Sequence, residues 1–240
     1  MELLGKRTAD DAIYLNEDRN EKPKEIFKLI ANTLIEETRS TGRTYDLIDV
    51  GCATGEFIYH IKRTCSDLQC FGVDVSSPMI DLARKNLPDC SFEVNSILRG
   101  HFFSGRKFDF LSCSGVIQIF DDIRQPLVNL VNAVKSGGRM YIFTAVNERP
   151  IDLITRYRKA GDDGDWELGW NIFSQATYER TIKGIAPAAK TRFIDFCMPF
   201  DIPEQADPMR TWAVNLNGKR TLVNGANLIV TQKLIEVTLP

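Results

Sequence analysis

The residues with chemical potential gather in two short stretches. In LIDVGCATGEF, residues 47–57, an apolar run ends in Asp49 and gives way to the small-residue turn Gly51-Cys52-Ala53-Thr54-Gly55, followed by Glu56. Glycine leaves no side chain in the way and adopts backbone conformations closed to other residues, so a ligand can approach this turn closely. Nineteen residues after Gly55, Asp74 closes a second apolar run, CFGVDVS, where an acid can accept hydrogen bonds from ribose hydroxyls. Two common phosphate loops do not fit. The P-loop ends in Gly-Lys-Ser/Thr, and here Glu56 follows Gly55. A dinucleotide turn spaces its glycines as G-x-G-x-x-G, whereas the third and sixth positions counted from Gly51 are Ala53 and Glu56. These residue types suit a ligand with a ribose and a positive centre but no phosphate.

General bases are scarce. The two histidines are His60, in FIYHIKR, and His101, in RGHFFSG. His60 reads as structural; His101, in a loop set apart from the fourth strand, is a candidate base with a plain loop residue as its alternative. In GVIQIFDD, residues 115–122, Asp121 and Asp122 are candidate bases, with helix capping as their alternative. Aromatics and acids concentrate in GDDGDWELGWNIF, residues 161–173. Trp166 and Trp170 could stack on a sugar or an amine while neighbouring carboxylates take hydroxyls or a cation. Arg210 and Trp212 could close the other side of such a pocket, and Tyr14 could fold over it as a lid.

These residues need a scaffold, and hydrophobic rhythm supplies it. PKEIFKLIANTLIEETR, residues 23–39, reads as an amphipathic helix with Pro23 in its first turn and a stripe of Ile26, Leu29, Ile30, Thr33 and Leu34. Five apolar strand-like runs follow, at 45–51, 70–76, 90–97, 107–117 and 139–146. Helical segments lie between them at 55–65, at 77–87, with Ser77 as a cap and Pro78 at its first position, and at 123–138, closed by Gly137-Gly138. Strands alternating with helices at this spacing predict an α/β fold with a mostly parallel sheet covered on both faces. Such a sheet binds ligand at the carboxyl ends of its strands. After residue 147 the rhythm changes: one or two helices around an acidic loop (151–185), a strand (191–198), a hairpin turning at Asn217-Gly218 (211–223) and a last strand (226–239).

The totals narrow the function. The chain has 240 residues, 43% of them hydrophobic, with a formal net charge of −2. That balance lacks the basic footprint of nucleic-acid binding. No window approaches the length of a membrane span, and the amino-terminal residues do not read as a secretory signal. Six cysteines without a CxxC pair, and two histidines, argue against a zinc site. Reduced thiols in a cytoplasmic protein are expected.

DVGCATGEF (49–57) followed by GVDVSSPMIDLARKN (72–86) resembles the first two motifs of the class I S-adenosylmethionine-dependent methyltransferases. KFDFLSCSGVIQIFDD (107–122) resembles their fourth-strand motif and VKSGGRMYIFT (134–144) their entry to the fifth strand. The resemblance covers about residues 45–146. It implies a Rossmann-like three-layer sandwich, a seven-stranded sheet with one antiparallel strand and a small cap. One domain would span 1–240: a helical cap (1–44), a cofactor core (45–147) and a substrate-pocket insertion with hairpin and last strands (148–240). It implies S-adenosylmethionine as cofactor and S-adenosylhomocysteine as product. Backbone at Gly51, Cys52, Ala53 and Gly55 would line the methionine moiety, with Asp49 near its amino group. Asp74 would hold the ribose, Val75 would pack on adenine, and Asn95 and Ser96 would face the ring. Cys113 and Ser114 would lie beside the sulfonium. Ala53 stands where the family has its middle glycine, and Asn95 where it has an acid.

A small-molecule acceptor is expected, methylated at a hydroxyl of a sugar-like or natural-product compound, with no metal, nucleic acid or membrane as partner and a homodimer left open. FCMPFDIPEQADPMRTW (196–212) resembles methyltransferases found with bacterial glycan genes. The Asn/Asp-Pro-Pro-Tyr/Phe tetrapeptide of nucleobase N-methyltransferases and a catalytic Pro-Cys are both absent. The alternatives are a methyltransferase acting on tRNA or protein, and a cofactor-binding subunit without turnover of its own.

Overall fold

The computed structural model describes residues 21–39, 42–65, 67–205, 207 and 209–240; Tyr14 lies outside them. Strands β1 (Tyr45–Val50), β2 (Leu68–Asp74), β3 (Ser91–Val94), β4 (Phe108–Ser114) and β5 (Val134–Asn147) run parallel in the order 3-2-1-4-5. The sheet continues through β12 (Gln232–Thr238), antiparallel to β5, and then β9 (Lys190–Phe196), antiparallel to β12. This gives the expected seven strands with one reversed. The two-residue β8 (Phe173–Ser174) adds to the end of β5 off the main path.

Alternate residues of a strand point to opposite faces, and both faces here are apolar. One presents Leu47, Phe110, Tyr141 and Leu234 to α1 (Glu25–Thr38), α2 (Glu56–Thr64) and α3 (Ser77–Asn86). The other presents Ile48, Leu111, Cys113, Met140, Ile142 and Ile235 to α4 (Arg124–Ala133) and α5 (Gln175–Ile185). Ile26, Ile30 and Leu34 of the α1 stripe are buried, while Leu29 packs at the margin.

The structure corrects several sequence expectations. α1 starts at Glu25, so Pro23 lies just ahead of it. The N-cap position of α3 is Ser76, one residue before Ser77, and its side chain makes no capping hydrogen bond. α4 ends at Ala133, because Val134 already pairs with Phe108 of β4. Gly137 and Gly138 then sit inside β5 at a register shift, and a Cβ on Gly138 would lie 2.7 Å from the Asp109 carbonyl oxygen. Gly138 serves strand crowding, Gly137 takes a left-handed φ of 73° in open space, and neither ends the helix. Around the acidic loop the structure has a short hairpin, β6 (Arg156–Tyr157) with β7 (Glu167–Leu168), followed by the single helix α5. The second hairpin, β10 (Trp212–Leu216) with β11 (Lys219–Val223), turns as expected at Asn217 and Gly218, with φ of 52° and 80°. No helix among the described residues is long and apolar enough to cross a membrane. Among them no three His, Cys, Asp or Glu side chains gather as metal ligands.

Candidate functional site

The turn after β1 is held by its neighbour strand. Gly51 N and Cys52 N both donate to the Val73 carbonyl, at 2.8 and 3.0 Å. Gly51, Ala53 and Gly55 have φ of 80°, 48° and 89°, so the chain winds left-handed into α2. A Cβ on Gly51 would lie 2.2 Å from Val116 Cγ2. The turn after β4 therefore leans on the turn after β1, and only a bare backbone fits between them.

Asp74 joins the two halves of the cleft. Its Oδ2 accepts from Ala53 N and its Oδ1 from Ser76 N, both at 2.9 Å. A carboxylate has about four acceptor sites, so capacity remains for ribose hydroxyls. Asn95 N donates to the Asp74 carbonyl at 3.0 Å, which brings the turn after β3 alongside. Within that turn Asn95 Oδ1 accepts from Ser96 N at 2.8 Å, and Asn95 Nδ2 donates to the Gly100 carbonyl at 3.2 Å. The Asn95 side chain is thus engaged in shaping its own turn, and Ser96 Oγ accepts from Leu98 N. Two apolar side chains, Val75 and Leu98, stay exposed around this turn. A flat ring lying there would cover them.

Beneath the turn the electrostatics are unusual. Asp49 is 4% exposed and Glu56 is also buried. Burial raises the Asp49 pKa to about 7; the Ser112 hydroxyl on the neighbouring strand pulls it down, and the charges of Glu56 and Asp74 push it up. Burial and the same acids raise the Cys52 thiol well above its usual value, so it stays protonated. A cation at this spot would relieve the acids. The site therefore fits a ligand carrying an ammonium and a sulfonium.

The structure separates the remaining candidates. Cys113 points to the far face and is fully buried in the core, so its thiol does not reach the cleft. Ser114, one residue on, has the opposite orientation, and its Oγ is buried without a hydrogen-bond partner. His101 is exposed and lies on the chain returning toward the amino ends of the strands. Close behind it, Phe103 packs edge-on against Phe71 and Arg106 reaches Asp46 at the start of β1. Asp121 is paired with Arg156 at 2.5 Å, and that hydrogen bond holds its carboxyl below the usual value. Asp122 accepts from Arg124 N at 2.8 Å just ahead of α4, whose N-cap position is Ile123. Both acids are thus engaged in structural contacts, Asp121 with Arg156 and Asn171 and Asp122 with the Arg124 backbone.

Trp166, on the β6–β7 hairpin, is 62% exposed, with the Arg158 guanidinium 5.3 Å from its ring. Trp170, Arg210 and Trp212 are half-buried. The chains bearing the first two touch: a Cβ on Gly169 would lie 3.1 Å from Met209 Cε. Sequence reasoning missed Asn171, which is 1% exposed. Its Oδ1 accepts from Thr155 N at 2.8 Å, and its Nδ2 donates to the Phe120 carbonyl at 2.9 Å and to Asp121 at 3.0 Å. It ties the loop after β4 to the hairpin region. A lone asparagine between Trp170 and Ile172 gave no local signal of this.

Residues 48–140 match a family model described as a methyltransferase domain. Over 225 residues the chain is 21% identical to malonyl-[acyl-carrier protein] O-methyltransferase of Acetivibrio thermocellus, covering 88% of this chain and 78% of that protein. Over 96 residues it is 30% identical to demethylmenaquinone methyltransferase of Thermotoga maritima, covering 40% and 42%. Several other curated relatives are likewise spanned over less than half of their length. The crystal structure of a TehB-like SAM-dependent methyltransferase from Corynebacterium glutamicum superposes with a TM-score of 0.58 at 16% identity, covering 98% of this chain and 100% of that one. The matched stretch runs from β1 into β5 and contains the glycine turn and Asp74; over it the chain carries a methyltransferase domain, and its fold is that of a SAM-dependent methyltransferase.

Proposed function

We propose that this methyltransferase transfers the methyl group to a hydroxyl of a small-molecule acceptor held over the carboxyl ends of β4 and β5. The observation that carries the cofactor half of this reading is the buried acid group of Asp49 and Glu56 beneath a left-handed turn anchored by Asp74. S-adenosylmethionine supplies an activated methyl on a sulfonium. Asp74 takes the ribose hydroxyls, Val75 and Leu98 cover the adenine, and Asp49 with Glu56 offsets the ammonium charge. The backbone from Gly51 to Gly55 lines the methionine chain, and Ser114 faces the transfer point. Displacement at a sulfonium asks the protein mainly for alignment, worth roughly 7–11 kcal/mol at best. Trp170, Arg210 and Trp212 stand where the carboxyl-terminal part of the chain could flank the acceptor. Support for oxygen comes from the Acetivibrio relative, which is named an O-methyltransferase.

Calorimetric titration with S-adenosylhomocysteine tests this reading. Micromolar binding is expected, weakened at least about tenfold (~1.4 kcal/mol) by Asp74→Ala. Absence of binding by the intact protein would overturn it. Transfer of labelled methyl to candidate hydroxyl compounds then identifies the acceptor.

A further inference from the structure

Near the carboxyl ends of β5 and β9 lies a cavity of about 740 Å3. One wall is the sheet and the chain leaving it: Phe143 of β5, Phe196 of β9, Gln232 of β12, then Met198, Phe200 and Ile202. The facing wall is the start of α1. Its position relative to the transfer point follows from strand register. Phe143 is the partner of Ser114, and its carbonyl accepts from Gly115 N at 2.9 Å. Paired residues of adjacent strands share a face and lie about 5 Å apart. The Phe143 ring therefore stands on the same side of the sheet as the buried, unpartnered Ser114 hydroxyl, one strand away.

The chemistry of the walls is lopsided. Phe143 and Phe196 meet edge to face, with ring centroids 4.9 Å apart and planes at 76°. Phe200 is 51% exposed and leaves an apolar surface open. On the sheet side, Gln232 is the one polar side chain among the described residues that line the cavity. The charged groups all belong to the start of α1, where Lys28 pairs with Glu25 at 2.5 Å and Glu21 lies 3.8 Å from Arg63. A sugar carries a hydroxyl on nearly every carbon, and burying hydroxyls without partners is unfavourable. An apolar ring or chain needs no partners and gains from leaving water.

We infer that this cavity receives the body of the acceptor, and that the acceptor carries an apolar ring system or chain in place of a bare sugar. This rests on the β4 end being the point of methyl transfer. It also moves the acceptor away from the exposed Trp166 and onto the Phe143–Phe196 pair.

The test is calorimetric titration of the full chain, preloaded with S-adenosylhomocysteine, with 2-naphthol and with methyl glucoside. Phe200→Glu and Ile202→Glu variants are run beside it, with their S-adenosylhomocysteine affinity measured separately. Naphthol is expected to bind at least about tenfold tighter than the glucoside. Each variant is expected to weaken naphthol about tenfold while changing S-adenosylhomocysteine affinity by less than about twofold. Tighter binding of the glucoside, or naphthol binding equal in all three proteins, would overturn the inference while leaving the cofactor reading standing. Failure of S-adenosylhomocysteine to bind would overturn both.

Discussion

Asp49 carries the sharpest consequence at the scale of single residues. Its carboxyl ionises near pH 7 when folded, against 3.8 for an ordinary aspartate. The unfolded chain releases this proton first, so stability falls as pH rises from about 4 to about 7 and then levels off. Asp49→Asn should therefore stabilise the free protein above pH 7, by up to about 4 kcal/mol, which denaturant unfolding at pH 8 would measure. The same substitution should lower S-adenosylhomocysteine affinity and flatten its rise between pH 6 and 8, because the ionised acid is the form that offsets the ligand ammonium. A more stable variant that binds worse would mark Asp49 as a functional strain in the fold. Gly51 is the second sensitive residue. Gly51→Ala forces a side chain into φ 80° and places its methyl 2.2 Å from Val116 Cγ2. The left-handed backbone alone costs about 1–2 kcal/mol. Binding should drop at least tenfold, and adding Val116→Ala should restore only the part due to the clash.

At the scale of elements, the loop after β4 matters most. Its position depends on Asn171, whose side chain serves Thr155, Phe120 and Asp121 at once. Asn171→Ala would take a partner from the half-buried Thr155 N–H and from the buried Phe120 carbonyl, and unfolding should become easier by about 2–3 kcal/mol. Asp121 would also lose one of the two groups that hold it low. Neither Asp121 nor Asp122 should matter much to methyl transfer. Alanine at Asp122 should cost about 1 kcal/mol of stability through loss of the hydrogen bond from Arg124 N and leave cofactor affinity unchanged. A large loss of turnover with intact folding would show that one of them acts on the acceptor after all.

At the scale of the whole molecule, the part of the chain after residue 147 is woven into the sheet. β12 pairs with β5 from Arg139 to Ala145, and Leu234, Ile235 and Val237 are buried against the two faces. A fragment ending at Asn147 would expose a long apolar edge strand. It should fail to give a monomeric, cooperatively unfolding protein, as gel filtration and thermal melting would show. The cavity wall would vanish with it, since Phe196, Met198 and Gln232 come from that part. The chain is formally −2, and added tRNA should show no binding that steepens as salt is lowered.

The sequence alone determined the alternation of strands and helices, the glycine turn, the acid at the tip of β2 and the Asn217-Gly218 hairpin. Each of these is written locally, in hydrophobic period or in a backbone conformation that few residues tolerate. Motif order then carried the family. The tertiary structure decided which side chains meet. Cys113 and Ser114 are neighbours in sequence, yet pleating sends one into the core on one face of the sheet and the other to the opposite face. Gly137-Gly138 looks like a helix end until Val134 pairs across to β4. Asp121 looks like a base until Arg156, thirty-five residues on, folds back to claim it. The cavity joins the start of α1 to strands more than a hundred residues away. Such contacts depend on sheet order, and no local pattern encodes sheet order.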